Sequence, residues 1–243
     1  MNDPTEIVIN PWPHIYRFTL RTLGNLQIGA NLVGAGIVTS YFIFFDQALP
    51  FDYIKRTIIV VGIMFAGLVM IASAFMHRWQ RDLTRFIILK KQGQEIDSDL
   101  HASALCKILN LPYLCSLTSL FNWLLAAITM SIYSSILAAA DANGTFNFAT
   151  LRVFIGVIIA GIITCTLIFF TVEIFCRRIW PHFFPDGRMI QTPGAFRLKL
   201  RNRMHIIFVL ASLLPIILMT VLSFNKANMM LTMNPEEVLQ SLI

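Results

Sequence analysis

The side chains able to do chemistry are few in this sequence, and their spacing argues against catalysis. Cys106, Cys115, Cys165 and Cys176 form no CxxC and no Cys/His pair at metal-ligand spacing, so neither a zinc site nor a redox dithiol is indicated. His14, His77, His101, His182 and His205 include no in-span pair placed for haem. No P-loop, nucleophile elbow or paired-carboxylate motif occurs, and no polar segment exceeds about 40 residues, too few for a catalytic domain. One ionisable residue lies within an apolar run. Glu173 precedes Arg177 by four residues, the spacing of a helical ion pair at a membrane interface. Asn31 and Asn122 are amides in apolar runs that either glue helices together, the expected role, or line a ligand pocket. Pro215 removes a backbone hydrogen bond and is expected to bend its helix.

The elements that carry these residues follow from composition. Of 243 residues 56% are apolar, 13% are charged and 20 are Phe, more hydrocarbon than a soluble domain can hide. The expected fold is all-α, a polytopic integral membrane bundle, because the apolar runs are continuous rather than alternating. Five runs reach the roughly 20 residues that cross about 30 Å of hydrocarbon. They are 27–45, 57–76, 114–140, 153–172 and 204–224. This divides the chain into a cytosolic segment 1–26, a five-span membrane domain 27–224 and an extracytoplasmic segment 225–243. The opening MNDPTEIVINPWPHIYRF does not read as a cleavable signal peptide.

Orientation follows from the cations. Arg17 and Arg21 precede the first run, six Lys and Arg lie in connection 77–113, and seven in connection 173–203. Elsewhere there are only Lys55, Arg56, Arg152 and Lys226. The positive-inside rule therefore places the N-terminus and both of those connections in the cytosol. All four cysteines and all five histidines fall on or toward that side, as a reducing compartment suits. The formal net charge of +6 sits beside the apolar runs, so an anionic inner leaflet, not nucleic acid, is the expected partner.

Local patterns refine this picture. Ala30 with Gly34, Gly62 with Ala66, and Gly156 with Ala160 have the small-xxx-small spacing that lets helices approach closely, within one chain or between two. In HRWQRDLTRFIILKK, Trp79, Leu83, Phe86 and Ile87 share a helical face. That segment is expected to lie on the inner leaflet as a connector, with a lever as the alternative. Pro185, Gly187 and the Pro-Gly at 193–194 break the helix leaving the fourth run. Arg197, Lys199, Arg201 and Arg203 then pin the start of the fifth to anionic lipid, or else dock a cytosolic linker. The tail NPEEVLQSLI opens like a helix, with Asn234 as N-cap and Pro235 at the first position. It reads as the start of a sixth span, and the chain as the front part of a longer protein.

Four stretches carry a family resemblance: ILNLPYLCSLTSLFNWLLAA at 108–127, GVIIAGIITCTLIFFTVEIF at 156–175, FFPDGR at 183–188 and PGAFRLKLRNRMHIIFVLASLLPIILM at 193–219. Together they resemble the N-terminal membrane region of bacterial class III adenylate/guanylate cyclases. The resemblance implies six spans, a HAMP linker and a cytosolic cyclase domain working as a homodimer in the bacterial inner (plasma) membrane. It implies ATP or GTP and divalent metal ions for the parent protein. None of the family's metal-binding or purine-selecting positions falls in this sequence, so no catalytic, cofactor or metal residue is assigned here. The role implied is an anchor and signal-input region responding to an unidentified ligand or membrane partner. Alternatives are the anchor of a phosphatase or kinase domain, or a self-sufficient small transporter or channel subunit.

Overall fold

Continuous runs of Ile, Val, Leu and Phe satisfy their own backbone polar groups only as helices once water is excluded. A computed structural model describes residues 15, 23–41, 51–140, 148–185, 194 and 196, together with single positions between 201 and 227. Its elements are α1 (Leu23–Tyr41), α2 (Phe51–Trp79), α3 (Arg81–Gln92), α4 (Ser98–Ala140) and α5 (Phe148–Phe183). There is no strand among the described residues. Among the described residues three helical segments are long and apolar enough to cross a bilayer: Lys55–Trp79 in α2, Ser98–Ile136 in α4 and Val153–Phe183 in α5. Helix α1 does not reach that standard, because Asn25, Gln27, Asn31 and four glycines dilute its hydrocarbon. The outer end of the first expected run, at 42–45, and the expected sixth helix lie outside the described residues.

Both long helices outrun their hydropathy. In α4 the apolar stripe Ala104, Ile108 and Leu111 is buried and extends the helix back to Ser98, fourteen residues before Pro112. Proline inside a helix deprives the carbonyl four residues earlier of its donor. Here that carbonyl belongs to Ile108, and the Trp180 indole Nε1 of α5 donates to it at 3.5 Å. In α5 the stripe Val172, Cys176, Ile179 and Phe183 stays buried through a stretch carrying Glu173, Arg177 and Arg178. The helix ends at Phe183, ahead of an exposed turn at Pro185.

Helices α2 and α3 are separated only by Gln80, whose backbone is close to helical (φ −76°, ψ −2°). Helix α3 ends at Gly93, whose φ of 69° suits a residue without Cβ. The Gly93 and Gln94 amides donate back to the Lys90 and Leu89 carbonyls, a Schellman cap. The apolar face of α3 is not presented to lipid, contrary to the expectation of a membrane-lying connector. Leu83, Phe86 and Ile87 are fully buried, and the Phe86 ring stacks on Phe183 of α5 at 5.4 Å. The start of α4 and the end of α5 cover that face. The main apolar core therefore lies at the 77–111 and 172–184 end of the bundle. Across the rest of the spans large apolar side chains face outward: Ile63, Met70 and Leu167 are each at least 60% exposed, as a lipid-facing surface requires.

The chain forms two compact units, Met1–Phe196 and Arg197–Ile243. In the second, the described positions between 201 and 227 are helical. Thr220 donates to the Ile216 carbonyl at 2.8 Å, and the His205 ring lies 2.7 Å from the Arg201 carbonyl, both one turn back.

Candidate intramembrane cleft

Polar residues spaced four apart in an apolar helix make a narrow polar face, and two such faces meet in the first unit. Gln27 and Asn31 on α1 lie against Cys115, Ser119 and Trp123 on α4. The Gln27 Nε2 donates to the Cys115 carbonyl at 3.2 Å. The Asn31 Nδ2 donates to the Gln27 carbonyl at 2.8 Å, while its Oδ1 accepts from Ser119 Oγ and Trp123 Nε1, each at 2.8 Å. Sequence order increases in the same direction along both helices, so α1 and α4 run parallel. Interhelical bonds of this kind contribute about 0.6 to 2 kcal/mol each in a membrane.

The Trp123 indole is seated between two glycines. A Cβ on Gly34 would lie 2.6 Å from Thr164 Oγ1 and 3.0 Å from Trp123 Cζ2. A Cβ on Gly161 would lie 2.5 Å from Trp123 Cβ, which is anchored to the α4 backbone and cannot swing away. These two positions allow α1, α4 and α5 to close around one ring.

Helix α2 meets this cluster through the partly buried Met64 and Leu68. The most apolar window of its membrane segment has no fully buried residue. A cleft of about 630 Å³ opens between it and α1, α4 and α5. Val61, Phe65 and Leu68 of α2 line one wall, with Asn122, Ala126 and Met130 of α4 opposite. His77, Gln80 and Thr84 lie at one end. Among the described residues no Asp, Glu, Lys or Arg lines the cleft.

The sequence-derived candidates separate on this geometry. Asn31 is the acceptor at the centre of the polar network, and Asn122 is half-buried on the cleft wall. Ala30 packs against the main core, Gly34 against Trp123, and Ala160 against the Trp123 cluster. Gly156 is half-buried. Gly62 and Ala66 are exposed on α2, with nothing within 4 Å of a Gly62 Cβ. Glu173 is buried and accepts from Arg177 Nη2 at 3.0 Å. Pro185 is an exposed turn residue, and Arg201 is exposed on the helix of the second unit. Pro215, Gly187, Arg197, Lys199 and Arg203 lie outside the described residues.

Several contacts at the end of the first unit were not anticipated from sequence. Lys107 on α4 bonds Asp82 on α3, and Ser103 Oγ donates to the same carboxylate at 3.2 Å. The Lys107 hydrogen bond holds the Asp82 carboxyl below the ordinary carboxylate range, with burial opposing it. The Asn110 amide grips the strap at 194–196 in both directions. Its Nδ2 donates to the Gly194 carbonyl at 3.1 Å, and its Oδ1 accepts from the Phe196 amide at 2.7 Å. Tyr113 meets the Phe196 ring edge-on at 5.0 Å. Polar pairs four apart, Gln27 with Asn31 and Ser119 with Trp123, were the available signal for the network. Nothing local marked Asn110.

No known protein family, no curated protein and no solved structure matches this chain. Among the described residues no group of three or more His, Cys, Asp or Glu is placed to hold a metal ion.

Proposed function

We propose that this chain is the membrane anchor and signal-input module of a class III nucleotide cyclase. It has six spans in the whole protein and sits in a bacterial inner membrane, with its N-terminus and its 77–113 and 173–203 connections in the cytosol. The observation that carries the input role is the continuity of α4 and α5. Each runs without interruption from its apolar span into the packed end, where Asn110 holds the strap that leads into the second unit. A shift of one helix within the membrane would thereby reach Gly194 and Phe196, as rigid-element coupling requires. Homodimerisation of the parent protein would then turn a change in helix pose into a change in the pairing of output domains.

The identity of the output domain rests on the resemblance of the four stretches quoted above. Membranes containing the protein expressed from its native gene should convert ATP or GTP to the cyclic nucleotide in the presence of a divalent metal ion. The codons after Ile243 should encode a sixth apolar span and a domain with paired metal-binding aspartates. Membranes without cyclase activity, together with a different downstream domain, would transfer the anchor role to a phosphatase or kinase. A stop codon at that point would favour a self-sufficient membrane protein.

A further inference from the structure

An amide in hydrocarbon needs a hydrogen-bond partner, because no water is at hand to supply one. Asn31 has three such bonds. Asn122, on the same helix as Trp123, has none among the described residues and lines the cleft. The opposite wall repeats the situation. Thr118 Oγ1 of α4 contacts the Met76 sulfur of α2 at 3.8 Å, which sets the register of the antiparallel pair. One turn further out along both helices, Asn122 comes level with Ala72 and Ser73. Both line the cleft, and the Ser73 hydroxyl also has no partner among the described residues. Asn122 and Ser73 thus come level within a cleft of mixed lining, with His77, Gln80 and Thr84 toward one end and Thr57, Tyr133 and Ser134 toward the other.

From this geometry we infer that the cleft is a binding site for a neutral, lipid-soluble molecule with a hydrocarbon body and one hydroxyl or carbonyl group, which hydrogen-bonds Asn122 and Ser73. The volume of about 630 Å³ lies in the range of small-molecule pockets, roughly 300 to 1,000 Å³. Val61, Phe65 and Leu68 supply the surface for the hydrocarbon. The head group is uncharged because no Asp, Glu, Lys or Arg is among the described lining residues, the His77 imidazole lying a turn beyond Ser73 at the end of the cleft. The ligand fills the space between α2 and helices α1 and α4, so occupancy biases the position of α2, whose most apolar window has no fully buried residue. This deepens the input role proposed above. Binding is measured on the chain itself, so failure here leaves the anchor reading standing, and absence of cyclase activity leaves this site standing.

The test uses the chain in nanodiscs titrated with 2-bromo-1-dodecanol, whose bromine quenches nearby tryptophan; Trp123 lines the cleft. Saturable quenching is expected for the wild-type chain. Asn122→Leu should weaken it about tenfold, the loss of roughly one desolvated hydrogen bond. Its thermal stability should stay unchanged or rise, since an unpaired amide leaves hydrocarbon. Ala72→Trp, which fills the cleft beside Asn122, should abolish saturation while helix content by circular dichroism is retained. The headless 2-bromododecane and the charged 2-bromododecanoate should quench linearly, as bulk lipid does. Mass spectrometry of the purified protein separates the two sources of such a ligand: a resident diacylglycerol co-purifies and is displaced by the bromoalcohol, whereas a diffusible signal does not co-purify. Equal saturable binding by Asn122→Leu, saturable binding of the headless bromide, or no saturable quenching by the alcohol overturns the assignment.

Discussion

At the scale of single residues, the bundle closes on Trp123, and the two glycines beneath it set how close the helices come. Gly161→Ala should destabilise the protein by about 1–3 kcal/mol, the cost of overpacking a site whose neighbour cannot give way. The prediction is specific to position, because Gly62→Ala, where an added Cβ meets open space, should leave the detergent-solubilised thermal midpoint within error. Measured together, equal effects at the two sites would remove Trp123 from the centre of the packing. The contrast also shows how far these residues were legible in the sequence. Asn31 and Asn122 stood out because an amide in an apolar run is conspicuous. Small-residue spacing pointed to Gly34, where a Cβ would meet Trp123, but gave Gly62 the same weight and passed over Gly161. Spacing fixes which residues share a face and leaves open which face turns inward.

The same limit operates at the scale of elements. Apolar runs located α2, α4 and α5, while their ends escaped because burial continues along 104–111 and 172–183 after hydropathy falls. Those extensions rest on specific compensations. In α4, Pro112 costs a backbone hydrogen bond and the Trp180 indole partly replaces it. Trp180→Phe should therefore destabilise the wild-type chain by about 0.5–1 kcal/mol beyond its packing loss, and by less in a Pro112→Ala background, where a backbone donor returns to Ile108. A coupling of zero in that double-mutant cycle would detach the indole from the proline. Helix α3 is held by charge as well as by its buried face. Since the folded Asp82 pKa is depressed, the contribution of its pair with Lys107 is complete above the ordinary carboxylate pKa. It is lost as pH falls through the lower folded value. Asp82→Asn should cost under about 1 kcal/mol at neutral pH, as expected of a pair open to solvent. Its thermal-stability deficit against the wild-type chain should close as the medium is acidified below the carboxylate range, and a deficit that widened instead would show that the pair is not what Asn removes.

For the molecule as a whole, the helix contacts and the charges answer different halves of the topology question. Ser135 lies 3.3 Å from Thr150, Ser116 donates to the Cys165 carbonyl and Trp180 reaches Ile108, so α4 and α5 run antiparallel along their length. Met76 beside Thr118 sets α2 antiparallel to α4 as well. These contacts determine which described ends lie together: α3, the start of α4 and the end of α5 at one end of the bundle, and the end of α4 with the start of α5 at the other. They say nothing about which side is the cytosol. The proposed orientation rests on Arg78, Arg81, Arg85, Lys90, Lys91, Lys107, Arg177 and Arg178, all gathered at the packed end, which the positive-inside rule would assign to the inner leaflet. With the four native cysteines replaced, a cysteine at Gln92 in sealed right-side-out vesicles should resist a membrane-impermeant maleimide until the vesicles are opened. One placed at Asn143 should react at once. Exchange of the two results would invert the orientation while keeping the antiparallel pairs. Reaction of both from the same side would do more, because α4 could not then cross the bilayer, and the cleft between α2 and α4 would open to water rather than to lipid.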